Sequence, residues 1–100
     1  MLYNKLVRDK IPDVIAANGE TAVFHVAGDG EYWEKLKEKV LEEFKEFVAD
    51  ESAEEFADLM EVLGAIAAFK GFGAEEIAEL RRAKNEKRGA FADRIILEEA

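Results

Sequence analysis

Trp33, Leu36, Val40, Phe44 and Phe47 recur at steps of three and four through a stretch otherwise rich in charge. That spacing is the signature of a helix with one buried stripe, and it predicts a helix over about Glu31–Ala49. The next stretch, about Ala53–Phe69, is apolar almost all round: from Phe56 to Phe69 only Asp58 and Glu61 carry charge. Ser52 is placed to cap it, with Glu55 in capping-box position, and Gly71 and Gly73 end it. A further helix over about Ala74–Lys87 opens with Glu75-Glu76, which suits the positive end of a helix dipole. Ahead of these, a short helix over about Ile11–Ala17 carries Pro12 in its first turn, where the missing N–H is harmless, and stops at Asn18-Gly19. Thr21–Val26 is β-branched and apolar and reads as a strand, with Arg94-Ile95-Ile96-Leu97 as its candidate partner. Gly28-Asp29-Gly30 reads as a turn. The link between the helices at 31–49 and 53–69 is so short that they should form an antiparallel hairpin. The pattern therefore predicts an all-α fold, a four-helix bundle with a minor β-ribbon.

Composition narrows the possibilities. With 100 residues, one domain over 1–100 is expected, and 49% apolar residues suffice for a core. A core this small is modest, so pairing with another copy is expected. The absence of cysteine excludes disulfides and thiolate metal sites and fits a cytoplasmic location. No apolar run is long enough to span a membrane, and Met1-Leu2-Tyr3-Asn4-Lys5 turns charged too soon for a signal peptide. The net charge of −9 argues against binding a nucleic-acid polymer. It still permits a nucleotide, provided a cation or a local basic cluster stands between the two anions.

Most of the 23 acidic residues are ordinary surface charge. Glu43, Glu46, Glu55 and Asp58 differ as a set. Glu43 and Glu46 share one helix face, and Glu55 and Asp58 repeat the spacing on the next helix. Glu43 mirrors Asp58 about the turn, and Glu46 mirrors Glu55, so folding the hairpin brings the pairs face to face. Glu43 lies beside the Leu36–Val40 stripe, and Asp58 sits in an apolar run. Carboxylates there are costly unless paired, protonated or bound to a cation. Oxygen-only ligands select a hard ion, Mg²⁺ or Mn²⁺. The lone His25 reads as packing rather than as a ligand. The plain alternative is local pairing: Glu43 and Glu46 with Lys39 and Lys45, and Glu55 with the Ser52 cap. It leaves the mirrored spacing and Asp58 unexplained.

These motifs resemble the MazG-like all-α nucleoside triphosphate pyrophosphohydrolases, which include phosphoribosyl-ATP pyrophosphohydrolase. The hallmark of that family is Glu-Glu-x-x-Glu, a spacer, then Glu-x-x-Asp. Here it reads Glu42-Glu43-Phe44-Lys45-Glu46, a very short spacer, then Glu55-Phe56-Ala57-Asp58. The opening Tyr3-Asn4-Lys5-Leu6-Val7-Arg8-Asp9-Lys10-Ile11-Pro12 and the late Lys84-Asn85-Glu86-Lys87-Arg88-Gly89-Ala90-Phe91 resemble a phosphoribosyl-ATP pyrophosphohydrolase-like subgroup. The resemblance implies that Glu43, Glu46, Glu55 and Asp58 bind Mg²⁺. It also implies that a nucleoside triphosphate is cleaved to monophosphate and pyrophosphate.

Within that chemistry Glu46 or Glu42 is the candidate proton acceptor. Lys5, Arg8, Lys84 and Arg88 are candidates for the phosphates, and Asn4 for a base or phosphate. Trp33 and Phe91 read as core rather than as base-stacking groups. The apolar character of the 53–69 helix, with Gly64-Ala65-Ile66-Ala67-Ala68 as a close-approach surface, predicts a homodimer or larger homo-oligomer whose neighbour helps complete the site. Two rival readings stand: a phosphoribosyl-ATP pyrophosphohydrolase of histidine synthesis, and a non-catalytic helical interaction module. Glu61 has no assigned role.

Overall fold

A computed structural model describes residues 3–100, so Met1 and Leu2, which open the charged N-terminal stretch, lie outside the described residues. Four helices follow in order: α1 (Ile11–Ala17), α2 (Asp29–Ala49), α3 (Ala53–Lys70) and α4 (Ala74–Arg88). Pro12 sits in the first turn of α1, and Gly19 leaves the helix at φ +81°. α2 begins two residues earlier than the sequence pattern suggests. Gly28 stays extended as its cap, and the Gly28 carbonyl accepts the Tyr32 N–H at 2.8 Å. Asp29 and Glu31 then face the positive end of the dipole, so the expected turn is drawn into the helix. α3 starts where Ser52 Oγ accepts the Glu55 N–H at 3.2 Å. It ends at Gly71 in the left-handed region, φ +75°, where the Phe72 N–H closes back on the Ala67 carbonyl at 2.9 Å.

α2 and α3 form the expected antiparallel hairpin. At its open end Trp33 stacks on Phe69, with centroids 5.9 Å apart, and Tyr32 meets the same ring edge-on. Lys70 lies 4.0 Å over the Trp33 ring. In the middle Leu36 is fully buried and Val62 nearly so. Toward the turn Phe47 and Phe56 meet edge to face. Trp33 is thus committed to the hairpin seam, as expected, whereas Phe91 lies in the open.

Among the described residues α2 and α3 are the only helices in contact, so the bundle is not closed within one chain. α1 has seven residues and offers little to bury. α4 is held by its own charges, with Arg82 bridging Glu79 and Glu86 along one face, and it has no broad apolar stripe. Nor does the β-ribbon form among the described residues. Val23 and Val26 are exposed, as are Ile95–Leu97, and Arg94 adopts φ +58°, which bends the chain at the first residue of the expected partner strand. β-Branched side chains favour a strand only where a neighbouring surface accepts them.

The result is elongated, 57 × 30 × 23 Å, with a radius of gyration of 17.9 Å. A compact chain of this length has about 13 Å. Its accessible surface is 9058 Å², against about 5,700 Å² for a compact monomer of this mass. Large apolar side chains contribute to this surface. Leu41, Phe44 and Val48 on α2, and Met60 and Leu63 on α3, are all about half exposed or more, so Phe44 leaves the buried stripe expected for it. They follow helical spacing, so each helix carries a second apolar stripe beyond the hairpin seam. No helix of the described residues is long and apolar enough to cross a membrane.

Candidate metal centre

The hairpin seam that buries Leu36 also carries Glu43, two turns further along α2. Glu43 is only 7% exposed. Across the seam, the first turn of α3 supplies Glu55 and the second supplies Asp58. One carboxylate oxygen from each of Glu43, Glu55 and Asp58 lies within 4.8 Å of the others. Opposite ligands of an octahedral Mg²⁺ ion stand about 4.2 Å apart, and those of Ca²⁺ about 5 Å. The 4.8 Å bound lies between these two spans, so a small closure would let one Mg²⁺ reach all three oxygens.

Two buried carboxylate oxygens, Glu43 Oε2 and Glu55 Oε2, have no hydrogen-bond partner. A native fold rarely leaves such groups unpaired, because each loses its hydration without replacement. The donor set thus fits a divalent cation on chemistry as well as spacing. Glu55 also decides between cap and ligand. Ser52 accepts its backbone N–H, but the Ser52 N–H donates instead to the Asp50 carbonyl at 2.6 Å. The reciprocal half of the capping box is not made, and the Glu55 carboxylate turns to Glu43 and Asp58.

Glu46 lies outside the tight group of three, although it remains electrically tied to it. The Glu43 charge, then burial, then the Glu55 and Glu42 charges raise its carboxyl above the usual range. Burial raises Glu55 in the same way, reinforced by Asp58 and Glu43. Glu42 behaves oppositely. Burial works to raise it, but the Lys5 hydrogen bond and the charges of Lys39 and Lys5 together outweigh this and hold it low. In return, the hydrogen bond to Glu42, followed by its charge, raises the Lys5 ammonium.

The chain's own cations rim the carboxylates. Arg8 donates to Asp58 Oδ1 at 2.8 Å, and Lys5 to Glu42 Oε1 at 3.0 Å. Lys39 lies 3.3 Å from Glu43 Oε1 and 3.5 Å from Glu42 Oε1. The local pairing expected of Lys39 therefore exists, yet it satisfies only one oxygen of Glu43. A cavity of about 270 Å³ opens beside the cluster. Its lining combines the charged Arg8, Asp9, Lys39, Glu43, Asp58 and Glu61 with Leu6, Val7, Tyr32, Leu36, Val62 and Ala65. A neighbouring cleft of about 210 Å³ holds Asn4, Lys5 and Glu42.

Two of the expected phosphate contacts do not arrive. α4 touches no other helix, so Lys84 and Arg88 are not brought to the carboxylates within one chain. His25 is exposed and shares its Nε2 with both oxygens of Glu31, at 2.9 and 3.1 Å, so it is neither packed nor near the cluster. Tyr32 was not singled out by charge or motif, and its signal is periodicity alone, one turn before Leu36; Ala65, one turn after Val62, was named only for close helix approach.

The chain matches no family model and no solved structure. Over 45 residues, 45% of its length, it is 47% identical to a protein of Mycolicibacterium smegmatis (strain ATCC 700084 / mc(2)155) described as uncharacterized. The matched stretch is 46% of that protein, so the similarity spans less than half of either chain.

Proposed function

We propose that this chain is a MazG-like, Mg²⁺-dependent pyrophosphohydrolase that cleaves a nucleoside triphosphate or related nucleotide between its α- and β-phosphates. Mn²⁺ is expected to substitute. One observation carries the reading: three carboxylates from two helices converge on the span of a single cation, while Glu43 is buried with an oxygen left unpaired.

Glu43, Glu55 and Asp58 would hold the ion, with Glu46 beside them as a fourth ligand or as proton acceptor. A bound Mg²⁺ supplies charge neutralisation for phosphate oxygens and for the departing pyrophosphate. The chain's residues do the rest. Water adds to the α-phosphorus, the bond from that phosphorus to the bridging oxygen breaks, and pyrophosphate leaves. Glu46 accepts the water proton, a role suited to a carboxyl raised by its neighbours. Glu42 serves this role less well, because it is held by Lys5 and Lys39. Arg8 and Lys39, which line the cavity, would meet the phosphates, and its apolar lining residues would exclude water from part of the ligand.

The second apolar stripe of each hairpin helix is covered, in this reading, by a second copy, which completes a four-helix bundle and brings its own Lys84 and Arg88 toward the site. Such an enzyme works in the cytoplasm, on nucleotides made there.

The test is pyrophosphate release, detected separately from phosphate, from a panel of ribo- and deoxynucleoside triphosphates and phosphoribosyl-ATP, with Mg²⁺ and with chelator. Release that needs Mg²⁺ and disappears in Glu43→Gln is expected, and the preferred substrate separates housekeeping hydrolysis from histidine synthesis. No release from any substrate, with no thermal stabilisation by Mg²⁺ or Mn²⁺, would leave a non-catalytic helical module.

A further inference from the structure

Asp58 is one of the three converging carboxylates, and its Oδ1 is already occupied by Arg8. This ion pair is long-range and exposed. Arg8 lies 50 positions earlier in sequence, on a segment that is neither helix nor strand, and its side chain is 59% exposed. Lys39 makes a useful contrast. It sits on α2 one turn before Glu43 and is 16% exposed, so it is fixed by its helix and neighbours. Of the two cations that touch the cluster, Arg8 is the more exposed and the one not held on a helix.

We propose that Arg8 is a place-holder for the divalent cation on Asp58, and that cation binding transfers its guanidinium to a phosphate of the incoming ligand. This rests on the metal-dependent reading above. Arg8 and a cation compete for the same carboxylate charge. Arg8 is the weaker competitor, because exposed ion pairs contribute little. Once displaced, its head group remains on the wall of the 270 Å³ cavity beside Asp58 and Glu43. There the guanidinium presents the planar fork that matches two phosphate oxygens. A phosphate ligand would otherwise meet a chain of net charge −9 and three gathered carboxylates. The exchange supplies two positive groups, and supplies the second only after the first has arrived. Binding is thus ordered, cation before phosphate, and by reciprocity the phosphate ligand tightens the cation.

The exchange predicts effects of opposite sign from one substitution. Mg²⁺ binding to the full chain is measured by calorimetry without other ligands, and magnesium pyrophosphate binding is measured at saturating Mg²⁺. Arg8→Gln is expected to bind Mg²⁺ up to about fivefold more tightly, the ratio that corresponds to losing a weak competing ion pair. The same variant is expected to bind magnesium pyrophosphate about tenfold more weakly. Arg8→Lys keeps the charge but loses the fork, so it should hold Mg²⁺ affinity near wild type while pyrophosphate still weakens. Circular dichroism melting establishes that each variant folds. Both affinities unchanged, or both weakened, would overturn the exchange while leaving the metal centre standing. No Mg²⁺ binding to the wild-type chain would overturn the centre and the exchange together.

Discussion

Glu43 holds a negative charge where the hairpin otherwise buries Leu36 and Val62, and only one of its oxygens meets Lys39. Replacing it with a group that needs no hydration should help the fold and end metal binding. Glu43→Met is expected to raise the melting temperature of the chelated protein by a few degrees, about 1 kcal/mol, and to remove any stabilisation by Mg²⁺. A lower melting temperature in chelator would show that Lys39 already satisfies this carboxylate. A pH series probes the same repulsion. Glu46 and Glu55 are raised in the folded state, so between the ordinary carboxylate pKa and their folded values the native chain holds more protons than the unfolded one. Stability in chelator should therefore climb as pH falls through the window just above the ordinary value. At still lower pH it should drop, as Glu42 loses the stability that Lys5 and Lys39 give its ionised form. A monotonic acid loss of melting temperature would contradict that sign. At this scale the sequence was most informative. Mirror spacing about the turn identified Glu43, Glu55 and Asp58, because a short antiparallel hairpin fixes which positions oppose each other. It could not place Glu46 outside the tight group, since one-residue differences in azimuth decide which oxygens meet. Nor could it find the Arg8–Asp58 pair, which depends on how a non-helical segment crosses the hairpin.

The helices themselves were legible wherever a cap coincided with a change of periodicity. α1 matches its expected bounds because Pro12 and Asn18-Gly19 punctuate it, and α3 begins where Ser52 says it should. α2 starts early because an acidic residue after an extended glycine favours a helix start as readily as a turn. The β-ribbon was misread for a different reason: Thr21–Val26 has strand composition but no face to pack against, and composition does not reveal the missing face. The Ser52 cap has a second consequence, because it orients the first turn that carries Glu55. Ser52→Ala should cost about 1 kcal/mol, read as a melting temperature lower by about 4–8 °C, and should weaken Mg²⁺ binding at a site it never touches. Unchanged Mg²⁺ affinity in the destabilised variant would show that the seam, rather than the cap, fixes Glu55.

Seen whole, the chain has too much surface for its mass. Its 9058 Å² exceeds the compact expectation by about 3,400 Å². That excess is more than enough for a stable dimer, since specific interfaces bury about 800 Å² per partner and obligate ones more. Sedimentation at micromolar concentration should give a dimer or larger species, and Leu63→Glu, on the second apolar stripe of α3, should shift it toward monomer and lower its melting temperature. A wild-type monomer would remove the partner from the proposed site. The sequence anticipated an uncovered α3 from its composition, yet it could not show that α1 and α4 would leave the hairpin bare, because contact between helices is set by faces and not by counts of apolar residues.

The separation of α4 from the other helices of its own chain makes the protein open to genetic complementation. If Lys84 and Arg88 serve the neighbour's carboxylates, Glu43→Gln and Arg88→Gln chains are each inactive alone but compatible in a mixed pair. Refolded together in equal amounts, they should regain about a quarter of the wild-type sites, because half of the random dimers are mixed and each has one intact centre. If every centre is built within a single chain, the mixture stays as inactive as its parents.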